Sequence, residues 1–304
     1  MSRSKILLSV LTLSAGLSAA AYSQPKPEVF AISNAETTVA WGINPRGDTV
    51  GTTVSQGAST EFHGYRRDRS GAVTPIDVTT ADAVIKNCTS ARDIRPSGEI
   101  VGFVQAQTCG GTKFPSELRP GAHGFVLGTD GTLEVVDVKI PGTQGTVVFG
   151  TNPAGDLVGA YLDAANKTHG FMRHGGDITT IDVQGATLTT CRGINSKGEI
   201  VGRFDTHGFL RRADGSFETI DFPGATSTVV GAINPQGDIV GRFVTGGVGH
   251  GFLRKAGGQP VRFDVAGATA TDVTGISPSG DIVGTVTIVE GGTTKTRAFI
   301  QRKP

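Results

Sequence analysis

The sequence predicts an all-β protein: a six-bladed β-propeller of four-stranded blades, with the ring closed by the N-terminal strand completing the last blade. Three observations support this prediction. They are a repeated turn motif, a hairpin motif that follows each turn, and a strand that is missing from the last repeat but present at the N-terminus. Glycine accounts for 45 of 304 residues and is spread among Val, Ile, Thr and Phe. Such a composition indicates many short strands joined by tight turns.

The first repeated unit reads G-I-N-P-x-G-D-x-V-G. Its turn glycine is present in all six copies, and an acidic residue follows it each time. Proline and glycine at these positions predict a type I turn with a G1 bulge, so each copy forms the tip of a β-hairpin. The copies are GINPRGDTVG (42–51), DIRPSGEIVG (93–102), GTNPAGDLVG (150–159), GINSKGEIVG (193–202), AINPQGDIVG (232–241) and GISPSGDIVG (275–284).

The second unit begins with His-Gly-Phe or His-Gly-Tyr. It contains a strand, a turn with Gly or Asp, and a second strand, so each full repeat holds four strands, which we name a to d. A sixth copy starts at Arg297 and ends with the chain. The five full copies are HGYRRDRSGAVTPIDV (63–78), HGFVLGTDGTLEVVDV (123–138), HGFMRHGGDITTIDV (169–183), HGFLRRADGSFETIDF (207–222) and HGFLRKAGGQPVRFDV (250–265).

The spacing of the copies predicts a closed ring. They recur about every 47 residues, close to the ~40–50 residues of a propeller blade. The sixth repeat lacks strand d, and residues 27–32 fit that position. Ala31 lies twelve residues before Ile43, the same distance as from Asp221 to Ile233. A β-solenoid is the alternative, but it would not need this matched missing strand. The predicted blades lie near residues 34–78, 84–138, 145–183, 187–222, 226–265, and 269–304 with 27–32.

The paired G-I-N-x-x-G-x-I-V-G and H-G-F units resemble those of the HAF-type extracellular repeat proteins, which are named for a His-Ala-Phe triplet. Here the triplet is His-Gly-Phe or His-Gly-Tyr, and Arg-Ala-Phe in the last copy. The resemblance covers essentially the whole chain after the leader, in six copies. It implies an exported repeat protein. It implies no catalytic residues, because the family is defined by its repeats and export rather than by an activity.

The first 23 residues predict a secretory signal peptide. Arg3 and Lys5 precede an apolar run at residues 6–17, and small residues follow. We therefore expect one mature domain, residues 24–304, that is monomeric and secreted to the extracellular space or the periplasm. Loss of the leader removes two basic and no acidic residues, which changes the formal charge from +1 to −1. This balance gives no electrostatic case for nucleic acid as a partner, and no second apolar run predicts a membrane span.

Five histidines each precede an aspartate by 13 or 14 residues. In a c–d hairpin this spacing places the two side chains opposite each other. The last repeat has Arg297 in place of the histidine and Ala31 in place of the aspartate, so both partners are lost together. A general-base dyad is one interpretation, but an enzyme needs one site and five copies around a ring favour a structural hydrogen bond. The pairs are His63–Asp77, His123–Asp137, His169–Asp182, His207–Asp221 and His250–Asp264.

Strand a lines the propeller axis, where we expect an unknown extracellular ligand (a glycan, peptide or protein) to bind. The candidate contacts are Trp41, Arg92, Phe149 and Arg192, which could equally pack the blades together. The b–c and d–a loops share one end of the propeller, the top face. The longest loop there, residues 108–122, adds Lys113 and Arg119 as candidates, with a solvated insertion as the alternative. Gly231 and Thr274 complete the axial positions.

Two function classes remain. The first is an exported, noncatalytic propeller that acts as a binding or interaction scaffold. The second is an extracellular hydrolase or lyase with its site at the top of the axis. An enzyme of that kind needs acids or histidines that converge there, and the strand-a set offers only Asp93 and Asp272, so the sequence favours binding. Each blade supplies two metal-ligand side chains where zinc needs three or four, so we predict no metal and no cofactor.

We predict a disulfide between Cys88 and Cys109. The first precedes strand a and the second follows strand b of the same hairpin, so the turn between them brings the two close. The bridge would be worth ~3 kcal/mol in the chain-entropy model. Cys191 lies within a strand a and should be buried and free. Peptide mapping without reduction should recover the Cys88–Cys109 crosslink, and a crosslink to Cys191 would contradict the assignment.

Overall fold

The computed structural model describes residues 26–55, 61–79, 88–105 and 118–303. The predicted signal peptide (1–23), Cys109 and Lys113 lie outside these residues. The described chain folds into β-strands joined by turns, and it contains no helix long and apolar enough to cross a membrane. The first strands are β1 (Glu28–Phe30), β2 (Thr37–Ile43), β3 (Thr49–Val54), β4 (Phe62–Arg67) and β5 (Val73–Ile76).

The next sixteen strands form four sheets of four consecutive strands each, and every sheet is antiparallel. They are β6 (Thr89–Ile94), β7 (Ile100–Gln105), β8 (Ala122–Leu127), β9 (Leu133–Val136); β10 (Gly145–Thr151), β11 (Leu157–Leu162), β12 (Thr168–His174), β13 (Asp177–Ile181); β14 (Thr189–Ile194), β15 (Ile200–Phe204), β16 (His207–Arg211), β17 (Phe217–Ile220); β18 (Ser227–Ile233), β19 (Ile239–Thr245), β20 (Val248–Arg254), β21 (Pro260–Phe263).

The remaining strands are β22 (Ala270–Ile276), β23 (Ile282–Glu290) and β24 (Thr293–Gln301). Together with the first five strands they form one eight-stranded sheet. Its order is β22-β23-β24-β2-β3-β4-β5, and β1 also pairs with β24. The innermost strand of each repeat contacts the next in the circle β2, β6, β10, β14, β18, β22 and back to β2. The described residues therefore form an all-β domain with a β-propeller arrangement.

The N-terminal strand pairs with the C-terminal one, as the repeat spacing predicted. Glu28 lies opposite Ile300 and Phe30 opposite Ala298 in an antiparallel ladder. Arg67 of β4 holds the other side of β1, because its guanidinium bonds to the Glu28 carboxylate and lies 4.5 Å from the centre of the Phe30 ring. β1 thus links the end of the chain to the first hairpin.

The repeated turns have the predicted geometry. In the first, Gly47 N–H donates to the carbonyl of Asn44 at 3.0 Å, and Asn44 N–H donates to the carbonyl of Asp48 at 3.0 Å. The Asn44 side-chain oxygen accepts two further amides of the turn, from Arg46 and Asp48. All six turn glycines have positive φ, from 76° to 106°, which few side chains tolerate. They are Gly47, Gly98, Gly155, Gly198, Gly237 and Gly280.

The Val-Gly ending of the first unit has a steric cause. A Cβ added to Gly202 would lie 2.0 Å from the carbonyl oxygen of Thr190 and 2.9 Å from the ring of Phe209. The glycine lets the aromatic ring of strand c lie flat against strand b, where the ring is fully buried. The same contact recurs in all six repeats. The pairs are Gly51–Tyr65, Gly102–Phe125, Gly159–Phe171, Gly202–Phe209, Gly241–Phe252 and Gly284–Phe299.

The glycine of the His-Gly-Phe triplet sets the distance between neighbouring sheets. A Cβ at Gly208 would lie 2.7 Å from the carbonyl oxygen of Ile220 and 2.8 Å from a methyl of Val230 in the next sheet. Gly64, Gly124, Gly170 and Gly251 make the equivalent contacts. Each repeat therefore presents a flat surface to the next one, and the core lies between the sheets.

Removal of residues 24–33 tests the closure of the propeller. Without β1, the outer edge of β24 loses its partner and Arg67 loses both Glu28 and Phe30. An unpaired edge promotes aggregation, so we expect a sharp loss of soluble yield or a melting temperature lowered by several degrees. Glu28→Gln, which removes only the ion pair, should change the melting temperature much less. A truncated protein that stays monomeric with unchanged melting would contradict this role of β1.

Candidate functional site

A β-bulge occurs in the innermost strand of every repeat. In β2 the pairing with β3 passes from Ala40 to Gly42 and leaves Trp41 as the extra residue. A bulge re-aims the side chain of the extra residue. All six extra residues line the cavities on the axis, as the sequence predicted for this set. They are Trp41, Arg92, Phe149, Arg192, Gly231 and Thr274.

These six residues separate two cavities. The smaller cavity, about 100 Å³, opens at the end of the axis where the a–b turns lie. The larger cavity, about 390 Å³, is lined by residues that precede the bulges, such as Val39, Val229 and Asp272, and by Arg203, Arg242 and Thr285 of the second strands. It therefore lies on the side of the axial residues away from the a–b turns, toward the top face. Its size suits a small ligand. The smaller mouth is rimmed by Pro45, Pro96, Pro153, Pro235 and Pro278.

Arg92 forms the floor of the larger cavity together with aromatic rings. Its guanidinium carbon lies 3.9 Å from the centre of the Trp41 ring, 5.0 Å from that of Phe103 and 5.4 Å from that of Phe149. The side chain is almost wholly buried. Burial, and then the charge of Arg192, lower the pKa of Arg92. The Trp41 indole donates to the hydroxyl of Thr52 at 3.0 Å, which fixes the orientation of the ring.

Arginines form one wall of the larger cavity. Arg192, Arg203 and Arg242 lie on β14, β15 and β19, and Asp272 of β22 is the one acidic residue among the described lining. Arg242 Nη1 lies 3.6 Å from Asp272 Oδ2. Burial, and then the charge of Arg203, lower the pKa of Arg192 to about 10, so its guanidinium stays charged at neutral pH. Trp41 lies on β2, across the axis from β14, whereas Phe149 lies beside Arg192, with its ring centre 5.2 Å from the guanidinium carbon.

Sequence reasoning missed Arg203 and Arg242. Both directly follow the Val-Gly of the first unit, and side chains alternate between faces along a strand. The glycine faces the aromatic ring of its own sheet, so the next residue belongs to the opposite face. This alternation of faces is the sequence signal that could have identified Arg203 and Arg242 as candidates for the axis. The six residues at this position are Thr52, Phe103, Ala160, Arg203, Arg242 and Thr285.

The two acids of the strand-a set do not meet. Asp272 lines the larger cavity, whereas Asp93 lines the smaller one. The Asp93 carboxylate accepts the amides of Ile94 and Thr151, at 2.9 and 3.0 Å, and so joins two neighbouring sheets. Burial raises the pKa of Asp93 to about 6. Of the two acids that the sequence offered for an enzymatic site at the top of the axis, only Asp272 lies in the cavity on that side.

The predicted loop residues do not extend the cavity. Arg119 is partly exposed beside the β8 hairpin and is absent from the described lining. Lys113 lies outside the described residues.

Among the described part of the chain, no group of three or more His, Cys, Asp or Glu side chains is arranged to hold a metal ion. Cys191 is free and buried, as predicted, and burial raises the pKa of its thiol.

The five His–Asp pairs are all hydrogen-bonded. The Nδ1–carboxylate distances are 2.9 Å for His63, 2.9 Å for His123, 2.7 Å for His169, 2.8 Å for His207 and 3.0 Å for His250. Each pair joins the start of strand c to the end of strand d. None of the ten residues belongs to the described lining of the axial cavities. The pairs therefore lie apart from the arginine wall.

Solved structures with a similar fold are β-propeller proteins. A putative TolB from Agrobacterium tumefaciens is 15% identical with a TM-score of 0.55, over 88% of this chain and 90% of that chain. A calcium-binding protein, regucalcin, from the same organism is 13% identical with a TM-score of 0.52, over 92% and 96%. TolB from Acinetobacter baumannii is 12% identical with a TM-score of 0.51, over 89% and 65%. The sequence matches no protein-family model and no curated protein.

At these identities the similarity shows the fold alone. The β-propeller arrangement is common to the chain and these structures. What the cavity binds has to be argued from its own side chains.

Exposure of the His–Asp pairs predicts how much each stabilises the fold. The His250 side chain is 11% exposed and that of His207 is 47% exposed. We expect His250→Ala to lower the free energy of unfolding by about 1–3 kcal/mol, since it removes a nearly buried ring and leaves the Asp264 carboxylate bonded to the exposed Arg262 alone among the described residues. His207→Ala should cost less than about 1 kcal/mol, as for an exposed pair. Urea unfolding of the two variants measures the difference, and equal costs would contradict this ranking.

Proposed function

We propose that the protein is an exported, noncatalytic six-bladed β-propeller that binds a small ligand in the larger axial cavity. The number of blades is inferred from the eight-stranded sheet. Its halves meet at β24 and β2, where a single parallel pair, Thr37 and Thr296, makes the connection. Every other strand contact in the sheets is an antiparallel ladder of at least three pairs. Division at this point gives one blade of β2 to β5 and one of β22 to β24 with β1.

The larger cavity carries the proposal of binding. It combines aromatic and arginine side chains from several sheets in one concave site on the axis. Asp272 is the one carboxylate in its described lining, so the cavity offers no second acid or histidine for a general acid–base pair. The His–Asp pairs lie elsewhere, and we assign them a structural role. These features favour binding over a hydrolase or lyase.

Export is proposed from the sequence. The leader at residues 1–23 has the order of a signal peptide, and the repeats resemble those of the HAF-type extracellular proteins. A secreted or periplasmic location also suits the proposed Cys88–Cys109 disulfide, since oxidising compartments retain such bonds. The location then predicts a ligand from outside the cytoplasm, such as a glycan, a peptide or another small molecule.

Trp41 makes the proposal testable, because it is the single tryptophan of the chain and it lines the cavity. The mature protein should be screened against neutral and acidic sugars, oligosaccharides and peptides. A bound ligand should both change the Trp41 emission and raise the melting temperature, by the equivalent of about 2.7 kcal/mol at a concentration of 100 Kd. Trp41→Phe should lose the optical signal but still fold.

Three outcomes would contradict the proposal. A ligand that raises the melting temperature without any effect on Trp41 emission would place the site elsewhere. A ligand that is converted to a product, as seen by mass spectrometry, would favour the hydrolase or lyase. A complete panel with no effect on either signal would count against ligand binding in the cavity.

A further inference from the structure

We propose that the larger cavity binds the carboxylate, or a comparable oxyanion, of its ligand through Arg192, Arg203 and Arg242, with the uncharged part of the ligand against Trp41. This inference rests on the proposed function, in which the larger cavity is the binding site. It adds the chemical class of the ligand and the direction in which the ligand lies.

The first argument is the charge of the cavity. Its described lining contains four arginines, including Arg92 on the floor, and one acid, Asp272. Three of the arginines lie on the two adjacent repeats that contain β15 and β19, so their charges are concentrated on one side. A concave site with low-dielectric walls focuses such charge and attracts anions. A guanidinium also matches the planar geometry of a carboxylate.

The second argument is the contrast with arginines that have a structural role. The side chains of Arg67, Arg173 and Arg254 are 11–18% exposed, and each pairs with a glutamate of a neighbouring repeat. Those glutamates are Glu28, Glu134 and Glu218. In the cavity, several guanidiniums share the single carboxylate of Asp272. The fold thus gives Arg67, Arg173 and Arg254 a glutamate each, whereas Asp272 is the acid that Arg242 and Arg192 have in common.

The third argument comes from polar atoms in the cavity wall. Arg192 Nε and Thr285 Oγ1 are buried and have no hydrogen-bond partner within the described residues. A buried donor without a partner is costly. Both residues line the larger cavity, and an oxyanion held there would accept hydrogen bonds from both. Phe149 supports Arg192 from the side, with its ring centre 5.2 Å from the guanidinium carbon.

Asp272 sets the pH dependence of anion binding. Burial raises the pKa of this carboxyl, although the charges of Arg242 and Arg192 oppose the rise. The charged groups that line the cavity with it are arginines, and no histidine is among the described lining. As pH falls toward the raised pKa, Asp272 takes up a proton and no longer competes for the arginines. Anion affinity should therefore increase on acidification, provided that the anion itself stays ionised.

Titration of Trp41 fluorescence tests the ligand class, with D-glucuronate, D-glucose and sodium sulfate as probes. We expect glucuronate to bind, glucose to bind at least about tenfold more weakly, and Arg242→Gln to weaken glucuronate by about tenfold or more, the equivalent of one lost charge-assisted hydrogen bond. Arg242 is well exposed to solvent, with 44% of its side chain accessible, so this variant should fold. Arg192→Gln should act in the same direction if its melting temperature is retained.

Arg212→Gln is the matched control. Arg212 has a similar exposure, 47%, but it pairs with Glu218 on the outer hairpin, away from the axis. Its loss should leave the affinity for glucuronate unchanged. Asp272→Asn should bind glucuronate roughly fivefold more tightly at neutral pH, since it removes a competing charge. The same variant should lose the rise in sulfate affinity on acidification that we expect of the unaltered protein, because sulfate stays ionised in mild acid and Asp272 is the carboxyl in the described lining whose pKa burial raises.

The outcomes separate this inference from the proposed function. Equal affinity for glucose and glucuronate, or no effect of Arg242→Gln, would overturn the oxyanion site while the cavity remains a binding site for neutral ligands. Sulfate that binds as tightly as glucuronate supports a general oxyanion site, and weaker sulfate supports a carboxylate. If neither anion changes Trp41 emission, this inference fails. If the wider ligand panel also leaves that emission unchanged, the proposed function fails with it.

Discussion

The structure depends on the contact between a glycine of strand b and an aromatic ring of strand c. At Gly202 no side chain fits, because the carbonyl oxygen of Thr190 and the ring of Phe209 already occupy the position of a Cβ. Six such contacts bring the second and third strands together and bury the six rings almost completely. Each sheet then has the flat, closely packed surface on which the next sheet rests, with Gly208 and its equivalents at the points of nearest approach.

This contact also explains where the repeats are free to vary. The positions that hold sheets together accept few residues, so they appear in the sequence as the repeated Val-Gly and His-Gly-Phe. The extra residue of each bulge lines the axial cavities instead, as do Arg203, Arg242 and Thr285 after the Val-Gly. The identity of the extra residue differs between repeats, for example Trp41, Arg92, Gly231 and Thr274. A constant scaffold and a variable axis are what a binding site on a rigid support requires.

Much of this could be predicted from the sequence, because the repeats supply internal comparisons. The turn glycines, the His–Asp pairs, the pairing of the N-terminal strand and the axial set all follow from residue spacing. The position of Asp93 could not be predicted, since the bulge at Arg92 shifts the following residue toward the opposite mouth. The unequal exposure of His207 and His250 depends on the length of the b–c hairpin, because the ladder continues for two residue pairs beyond His250 but ends at His207.

The axial asymmetry is the step that connects the fold to function. A ring built from near-identical repeats has no need to gather three arginines on one side of its axis, since its stability comes from the contacts between sheets. Confining Arg192, Arg203 and Arg242 to neighbouring repeats raises their mutual repulsion; burial lowers the pKa of Arg192 most, and the charges of Arg203 and Arg242 lower it further. This repulsion costs stability in the free protein, and a bound oxyanion would relieve it. A charge cluster that destabilises the free fold but stabilises a complex is expected of a binding site.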